Sequence, residues 1–438
     1  MKILLVDLYP DRDFRLIKDT NGSYGTGNDF GNSILCKVFK RLSKKNLFWP
    51  TTTTAYTMSV LKEVGHDVEY SNGLIQGFEV YIFISSIISY ELEIESIKNV
   101  RKFSSKILAI GPFAANNPKK YIENGCTVIF NESEFYFKEN NIDNINFENP
   151  ELLVSNNLDS DVDNLPLPAW DYFLKKNMLT YGLLTTKIMI PILATRGCPY
   201  SCSHYCVYPL SQGKKLRARS PKNIVDEIEY WNTNFNVKNF VFRDPVFSIN
   251  RKHTIELCNL IIEKKLDLKF VVETHLNNLD DEIIPLLKKS GMNMVKVGIE
   301  SADEEVLNSS KRKSITLDLQ KERIRKLEKM RIKVVAMYII GMIGDNVKKA
   351  NVTINYAKEL NTYLSQCSIF TPYPGTPVYR EFSDRINVDS FEKFNQYNLV
   401  FDHPSYDNKT ARLTLDKFYN NYYLRLSWLQ KFVRQIFF

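Results

Sequence analysis

Three cysteines, Cys198, Cys202 and Cys206, stand in the stretch Arg-Gly-Cys-Pro-Tyr-Ser-Cys-Ser-His-Tyr-Cys-Val-Tyr-Pro that runs from Arg196 to Pro209. Each is separated from the next by three residues, and the chain has seven cysteines in all. Three thiolates on one short loop suit a metal centre. An iron–sulfur cube held by three protein thiolates keeps one iron open to a further ligand. Zinc held by the same thiolates and His204 satisfies the ligand types, although structural zinc sites pair a short Cys motif with a second, distant pair that this sequence lacks. Inert thiols are the third reading. A disulfide framework does not suit a chain of 438 residues whose start, Met1 to Leu8, lacks the basic region and long apolar core of a secretion signal.

The elements around the loop say where it sits. Ile188 to Ala194 is an apolar run that reads as a buried strand, and Ser220-Pro221 is a helix start. The cysteines therefore occupy the loop at the carboxyl end of a strand, where α/β folds place their chemistry. Strand patterns follow at 239–242, 269–273, 294–300, 334–340 and 364–370, separated by helical stretches. Six strand–helix units are too few for an eight-fold barrel and predict a partial, open (β/α)6 TIM-type barrel. Polar groups recur at the carboxyl ends of these strands: Arg243-Asp244-Pro245, Glu273-Thr274-His275, Glu300-Ser301, Gly341 to Asp345, and Tyr373 to Pro377. Repetition on successive strands argues for a single site.

The first part of the chain has the same alternation on a smaller scale. Lys2–Leu8, Val68–Tyr70, Val80–Ile84, Lys106–Ile110 and Val128–Phe130 read as strands with helices between them, which predicts an α/β, doubly wound (Rossmann-like) parallel sheet. A glycine-rich loop, Gly22 to Gly31, is not a dinucleotide fingerprint. Residues 139–168, rich in Asn, Asp and Glu, read as a linker. The expected organisation is a Rossmann-like domain at 1–140, a linker at 141–185, a partial barrel at 186–380 and a helical extension at 381–438.

The cysteine loop resembles the cluster loop of the radical S-adenosylmethionine (SAM) enzymes, with Tyr205 as the aromatic before the last cysteine. Their usual pattern has one residue fewer in the second gap, so the extra residue here must be absorbed as a bulge. Glu300-Ser301 is similar to the Gly-Ile-Glu-Ser element of that family, Gly341 to the fifth-strand segment beside the adenine, and Tyr373 to Pro377 to the turn of its cobalamin-dependent members. The first domain resembles their cobalamin-binding domain, without its D-x-H-x-x-G motif. The resemblance implies a 4Fe-4S cluster on Cys198, Cys202 and Cys206, SAM held by Tyr205, Glu273, Glu300, Ser301 and Gly341, and cobalamin over loops carrying Tyr9, Ser85, Ser86 and Gly111. It makes His275 and Asp244 candidate substrate contacts. It further implies cleavage of SAM to a 5′-deoxyadenosyl radical, leading to methylation, cyclisation or oxidation of an unactivated carbon in a small-molecule, lipid or natural-product substrate, with an external electron donor such as flavodoxin or ferredoxin.

Composition bounds the alternatives. Lys plus Arg exceeds Asp plus Glu by 58 − 50 = 8, spread along the chain, with local clusters at 214–219 and 311–313. An RNA-modifying methylthiotransferase would need a further cysteine set in its first domain and a basic RNA-binding module; Cys36 and Cys126 do not supply the former, and no nucleic-acid partner is expected. A zinc-stabilised binding protein is the non-enzymatic reading. The tail from Leu415 to Phe438 interleaves Trp428, Phe432, Phe437 and Phe438 with basic residues. It is read as packing on the barrel, with peripheral membrane contact as the alternative use; a cytoplasmic location is expected.

Overall fold

The computed structural model describes every residue except 47–49, 155–160, 182–186 and 438. Two six-stranded sheets organise the chain, and every pairing in both is parallel. The first contains β1 (Lys2–Val6), β2 (Asp67–Ser71), β3 (Val80–Ile84), β4 (Ile107–Ile110), β5 (Thr127–Phe130) and β6 (Leu152–Val154), in the order β2-β1-β3-β4-β5-β6. Runs such as Val80-Tyr-Ile-Phe-Ile84, buried at every position, are what a parallel sheet covered on both faces requires. The segment read as a linker thus supplies the sixth strand, paired in register from Val128–Leu152 to Phe130–Val154.

The second sheet runs in simple sequence order: β7 (Ile190–Ile192), β8 (Asn239–Phe242), β9 (Lys269–Thr274), β10 (Met292–Glu300), β11 (Lys333–Ile340) and β12 (Leu364–Ile369). Its first strand is shorter than the apolar run suggested. Lys187–Ile188 pairs back on Thr180–Tyr181, and Ile188 is exposed. Buried and half-buried residues alternate along β11 and β12, because one face packs under the helices and the other lines a hollow interior. Met189, Val241 and Val271, with Met294 against them, close the amino-terminal end of that interior.

An open barrel leaves an edge, and the edge of β12 is covered by the helix Asn408–Tyr423. Tyr419 and Tyr423 hydroxyls donate to the Cys367 and Ser365 carbonyls (2.9 and 2.6 Å) and accept from the same residues' amides (3.1 and 2.9 Å). Strand edges need such partners for their unpaired backbone groups. A second helix, Leu426–Phe437, follows and leaves Leu426, Leu429 and Val433 exposed; Phe438 lies outside the described residues. No described helix is long and apolar enough to cross a membrane.

Candidate active site

The cysteine loop leaves β7 through a short antiparallel pair, Thr195–Arg196 with Arg217–Ala218. Gly197 has φ +85°, and a Cβ there would stand 2.0 Å from the Lys215 carbonyl oxygen, so only glycine lets the loop close on that pair. The extra residue of the second gap is taken up in one 3-10 turn, Ser201–His204, after which the Cys206 amide donates to the Cys202 carbonyl (2.9 Å). His204 turns away from the thiols toward Glu381 (3.4 Å) and Lys311 (3.4 Å), which removes the fourth ligand of the zinc reading.

The three thiols feel one another. A hydrogen bond with the Cys206 thiol holds Cys202 down to about 7 against the effect of burial, helped by the charge of Arg312. The same bond, with burial, pushes Cys206 up, and burial raises Cys198. Among the described residues, no three His, Cys, Asp or Glu side chains converge on the point a single metal ion would need.

Arg312 organises the wall beside the loop. It is buried, donates to the Gly298 carbonyl (3.0 Å), lies 3.3 Å from Glu300, and hydrogen-bonds the Cys202 thiol and His275 Nε2. The sequence marks 311–313 only as a basic cluster; nothing local says that its middle residue folds inward. Glu300 is aimed by backbone strain. Its φ is +63°, and the β10–β11 register shifts between Gly298 and Glu300. Bulges of this kind re-aim a side chain. A Cβ on Gly298 would come within 2.4 Å of the Glu300 carboxylate and 2.9 Å of Arg312, so the strand needs glycine there.

A cavity of about 380 Å³ opens directly on this corner. Tyr205, Cys206 and Tyr208 form its mouth, Glu273 and Glu300 one side, and Tyr419 and Tyr423 of the edge-covering helix the far wall. Burial keeps the Glu300 carboxyl raised despite Arg312.

The family profile described as the Radical SAM superfamily matches residues 192–357, which span the cysteine loop and most of the second sheet. Residues 192–357 thus match a radical SAM domain. It is 26% identical over 295 residues to an uncharacterized methyltransferase of Pyrococcus horikoshii, covering 66% of this chain and 61% of that protein. It is 32% identical over 242 residues to the anaerobic magnesium-protoporphyrin IX monomethyl ester cyclase of Cereibacter sphaeroides, covering 54% and 38%. The chain thus spans less than two thirds of the length of either relative. Among solved structures, the radical SAM methyltransferase TsrM of Kitasatospora setae, with tryptophan substrate and a SAM analogue bound, shares the fold at TM-score 0.61 and 15% identity over 87% of this chain and 76% of that one. TsrM has also been solved with cobalamin and a [4Fe-4S] cluster.

Of the residues singled out in the sequence, Cys206, Tyr205, Glu273 and Glu300 line the cavity, and Cys198 and Cys202 stand in the loop behind it. Four others do not line it. Asp244 is buried and accepts from Ala194 N (3.3 Å), Thr195 N and Thr195 Oγ1 (2.6 Å), so it pins the start of the cysteine loop rather than meeting a substrate. His275 stacks on Tyr200 at 4.7 Å behind Arg312; burial, then Arg312, pull it down to about 3, and it is neutral. Ser301 turns to Thr353 (3.2 Å), and the Gly341 amide donates to Asp345 (2.8 Å).

At the first sheet, the strand ends are covered by the chain itself. Lys18 enters between β1 and β3, fully buried, and reaches Asp7 (3.1 Å), Glu93 (2.9 Å) and the Ile84 carbonyl (2.6 Å). Tyr9 donates to Asp7 (3.1 Å), Ser85 Oγ accepts from Ala114 N (3.0 Å), and Ser86 Oγ donates to the Tyr24 carbonyl (2.7 Å). Tyr24 in turn donates to the Pro374 carbonyl across the seam (2.9 Å). Gly111, with Asn131, Glu132 and Arg196, borders a cavity of only about 30 Å³. Arg196, one residue before Gly197, pairs with Glu132 and Glu134, and Arg217 with Glu132 (2.6 Å), so the cysteine loop is tied to the first domain by buried ion pairs.

Proposed function

We propose that this chain is a radical SAM enzyme that removes hydrogen from an unactivated carbon of a small molecule bound in the barrel. The observation that carries the reading is the 380 Å³ cavity that begins at Cys206 and Tyr205 and continues between Glu273 and Glu300. The donor set fits the implied groups: Cys198, Cys202 and Cys206 would hold the cluster, and Tyr205 and Glu300 would border SAM. When bound, a 4Fe-4S cluster with SAM supplies one-electron radical chemistry to the cavity.

The chain's own part is to position and to exclude water. Arg312 fixes Glu300 and the Cys202 thiol in one network. Tyr205, edge-on to Phe370 at 5.8 Å, shields the mouth. Tyr419 and Tyr423, on the helix that covers β12, seal the side where the barrel does not close.

Cobalamin-dependent methylation is the finer form of this reading, favoured by relatives named as methyltransferases. In the conformation described, Lys18 and Tyr24 occupy the strand ends of the first sheet, the place a corrin would take.

The test is an anaerobic absorption spectrum after cluster reconstitution, with and without hydroxocobalamin, followed by gel filtration and a SAM-cleavage assay. Iron–sulfur absorption with SAM cleavage supports the radical reading, and co-eluting corrin supports its cobalamin form. A colourless, zinc-loaded protein sinks both.

A further inference from the structure

One layer of the barrel lies deeper than the groups assigned above. Lys296 on β10 lines the same cavity four residues before Glu300, roughly 13 Å down the strand at about 3.3 Å per residue. It faces Glu273, its register partner on β9, which lines the cavity too. The two make no ion pair with each other, and among the described residues neither side chain has a hydrogen bond or ion pair with any other group. The other cations beside the cavity are committed: Arg243 to Asp19 (2.7 Å) and Arg312 to Glu300 (3.3 Å). Gln366 on β12 adds an amide to the wall, and below the layer the interior is closed by Met189, Val241, Val271 and Met294.

A charge taken into a protein interior is costly unless a partner meets it. Here an ammonium and a carboxylate stand side by side on the cavity wall without a hydrogen bond or ion pair, Glu273 within the field of Arg243. A cavity of about 380 Å³ is near the lower end of the roughly 300–1,000 Å³ range of small-molecule sites, and part of it must hold SAM. We propose that Lys296 and Glu273 are the specificity pair of the substrate site, and that the substrate is a small zwitterion of the amino-acid class, its carboxylate on Lys296 and its ammonium toward Glu273. The proposal rests on the radical SAM reading above and adds the substrate's chemistry to it. A neutral lipid would leave both charges without partners, and a macrocycle would need more room than the hollow gives.

The test uses the full-length protein with its cluster reconstituted and SAM present, probed by thermal shift with three sets: the common amino acids, the amines made from them by decarboxylation, and their N-acetylated acids. At least one amino acid raises the melting temperature, its amine does not, and its N-acetyl form gives a smaller shift. Lys296→Met abolishes the amino-acid shift and keeps the shift given by SAM alone, Lys296→Arg restores part of it, and Glu273→Gln weakens the amino-acid shift while sparing the N-acetyl acid. Amines or neutral compounds that bind as well as the acids overturn the proposal, as does a panel with no binder, or a Lys296→Met chain that keeps the amino-acid shift. A Lys296→Met chain that fails to fold overturns it as well, since an unpartnered cation needed for folding is structural. Loss of the SAM shift already in the wild-type chain would instead count against the radical SAM reading.

Discussion

The molecule contains two six-stranded parallel sheets, and they treat the space at their strand ends in opposite ways. In the first, the segment after β1 folds back and fills that space: Lys18 is buried between Asp7 and Glu93, and Tyr24 reaches across to Pro374. In the second, the corresponding space is hollow, and charged groups line it. The difference comes from what each chain segment does next. A buried cation that finds two carboxylates and a carbonyl is satisfied, and its site is closed. Glu273 and Lys296 find no such partners, and their site stays open to a ligand. Parallel α/β architecture offers a crevice at both places; only side-chain pairing decides which of them is available.

The sharpest way to break this contrast is at the cysteine loop. Replacing any one of Cys198, Cys202 or Cys206 by alanine is expected to abolish the iron–sulfur absorption and reduce SAM cleavage to background. Retention of a full cluster in any single variant would remove the assignment of three thiolate ligands. Next comes Arg312. An Arg312→Met chain loses the hold on Glu300, Gly298 and Cys202, and a drop of about 10–100-fold in SAM cleavage or iron retention is expected, in the range seen when groups behind metal ligands are removed. An unchanged rate would mean that the arginine only packs.

Stability measurements compare the two sheets directly. Lys18→Met leaves Asp7 and Glu93 buried without their cation and is expected to cost about 3–5 kcal/mol in chemical denaturation. Lys296→Met removes a cation that has no protein partner, and a change within about 1 kcal/mol is expected. Equal losses at the two positions would erase the distinction between a filled and an open crevice.

A graded effect is a pH slope. Burial lifts Asp244 to about 6 in the folded chain, above the 3.8 of an unperturbed Asp, despite its hydrogen bonds from Thr195 and Ala194. The folded state therefore holds this proton more tightly than the unfolded one. Its contribution is fully present below pH 3.8 and is lost as pH rises through about 6, a decline of up to about 3 kcal/mol. Urea titrations at a series of pH values should show this decline in the wild type and a flatter profile in Asp244→Asn. Parallel profiles would mean that Asp244 is not the group responsible.

Much of the candidate site was legible in the chain. Cys198, Cys202 and Cys206 announce themselves by type and spacing, and Glu273 and Glu300 by their place at the ends of apolar strands. Asp244 and His275 sit at equally suggestive positions, yet they serve the scaffold, because a polar residue after a strand can turn either toward the cavity or into the backbone around it. Lys296 was invisible for the opposite reason: a lysine inside a strand pattern reads as a solvent-facing residue until the sheet curls and turns that face inward. The tail reads in the sequence as packing on the barrel, and it does so, but which of its tyrosines bond the open edge of β12 is set only by the packed strand.

The sequence by itself determined the class of fold, the alternation that builds both sheets, and the loop that carries the thiolates. These depend on local pattern: apolar runs of strand length, helix starts, and cysteine spacing. Tertiary structure alone decided which crevice is filled by the chain, which residue of a basic cluster is buried beside the cysteines, and which charges are left to face the hollow. Those outcomes depend on partners hundreds of residues apart, as when Tyr24 meets Pro374, and on a bulge that turns Glu300 inward. Pairing of that kind is a property of the packed chain and has no local signature.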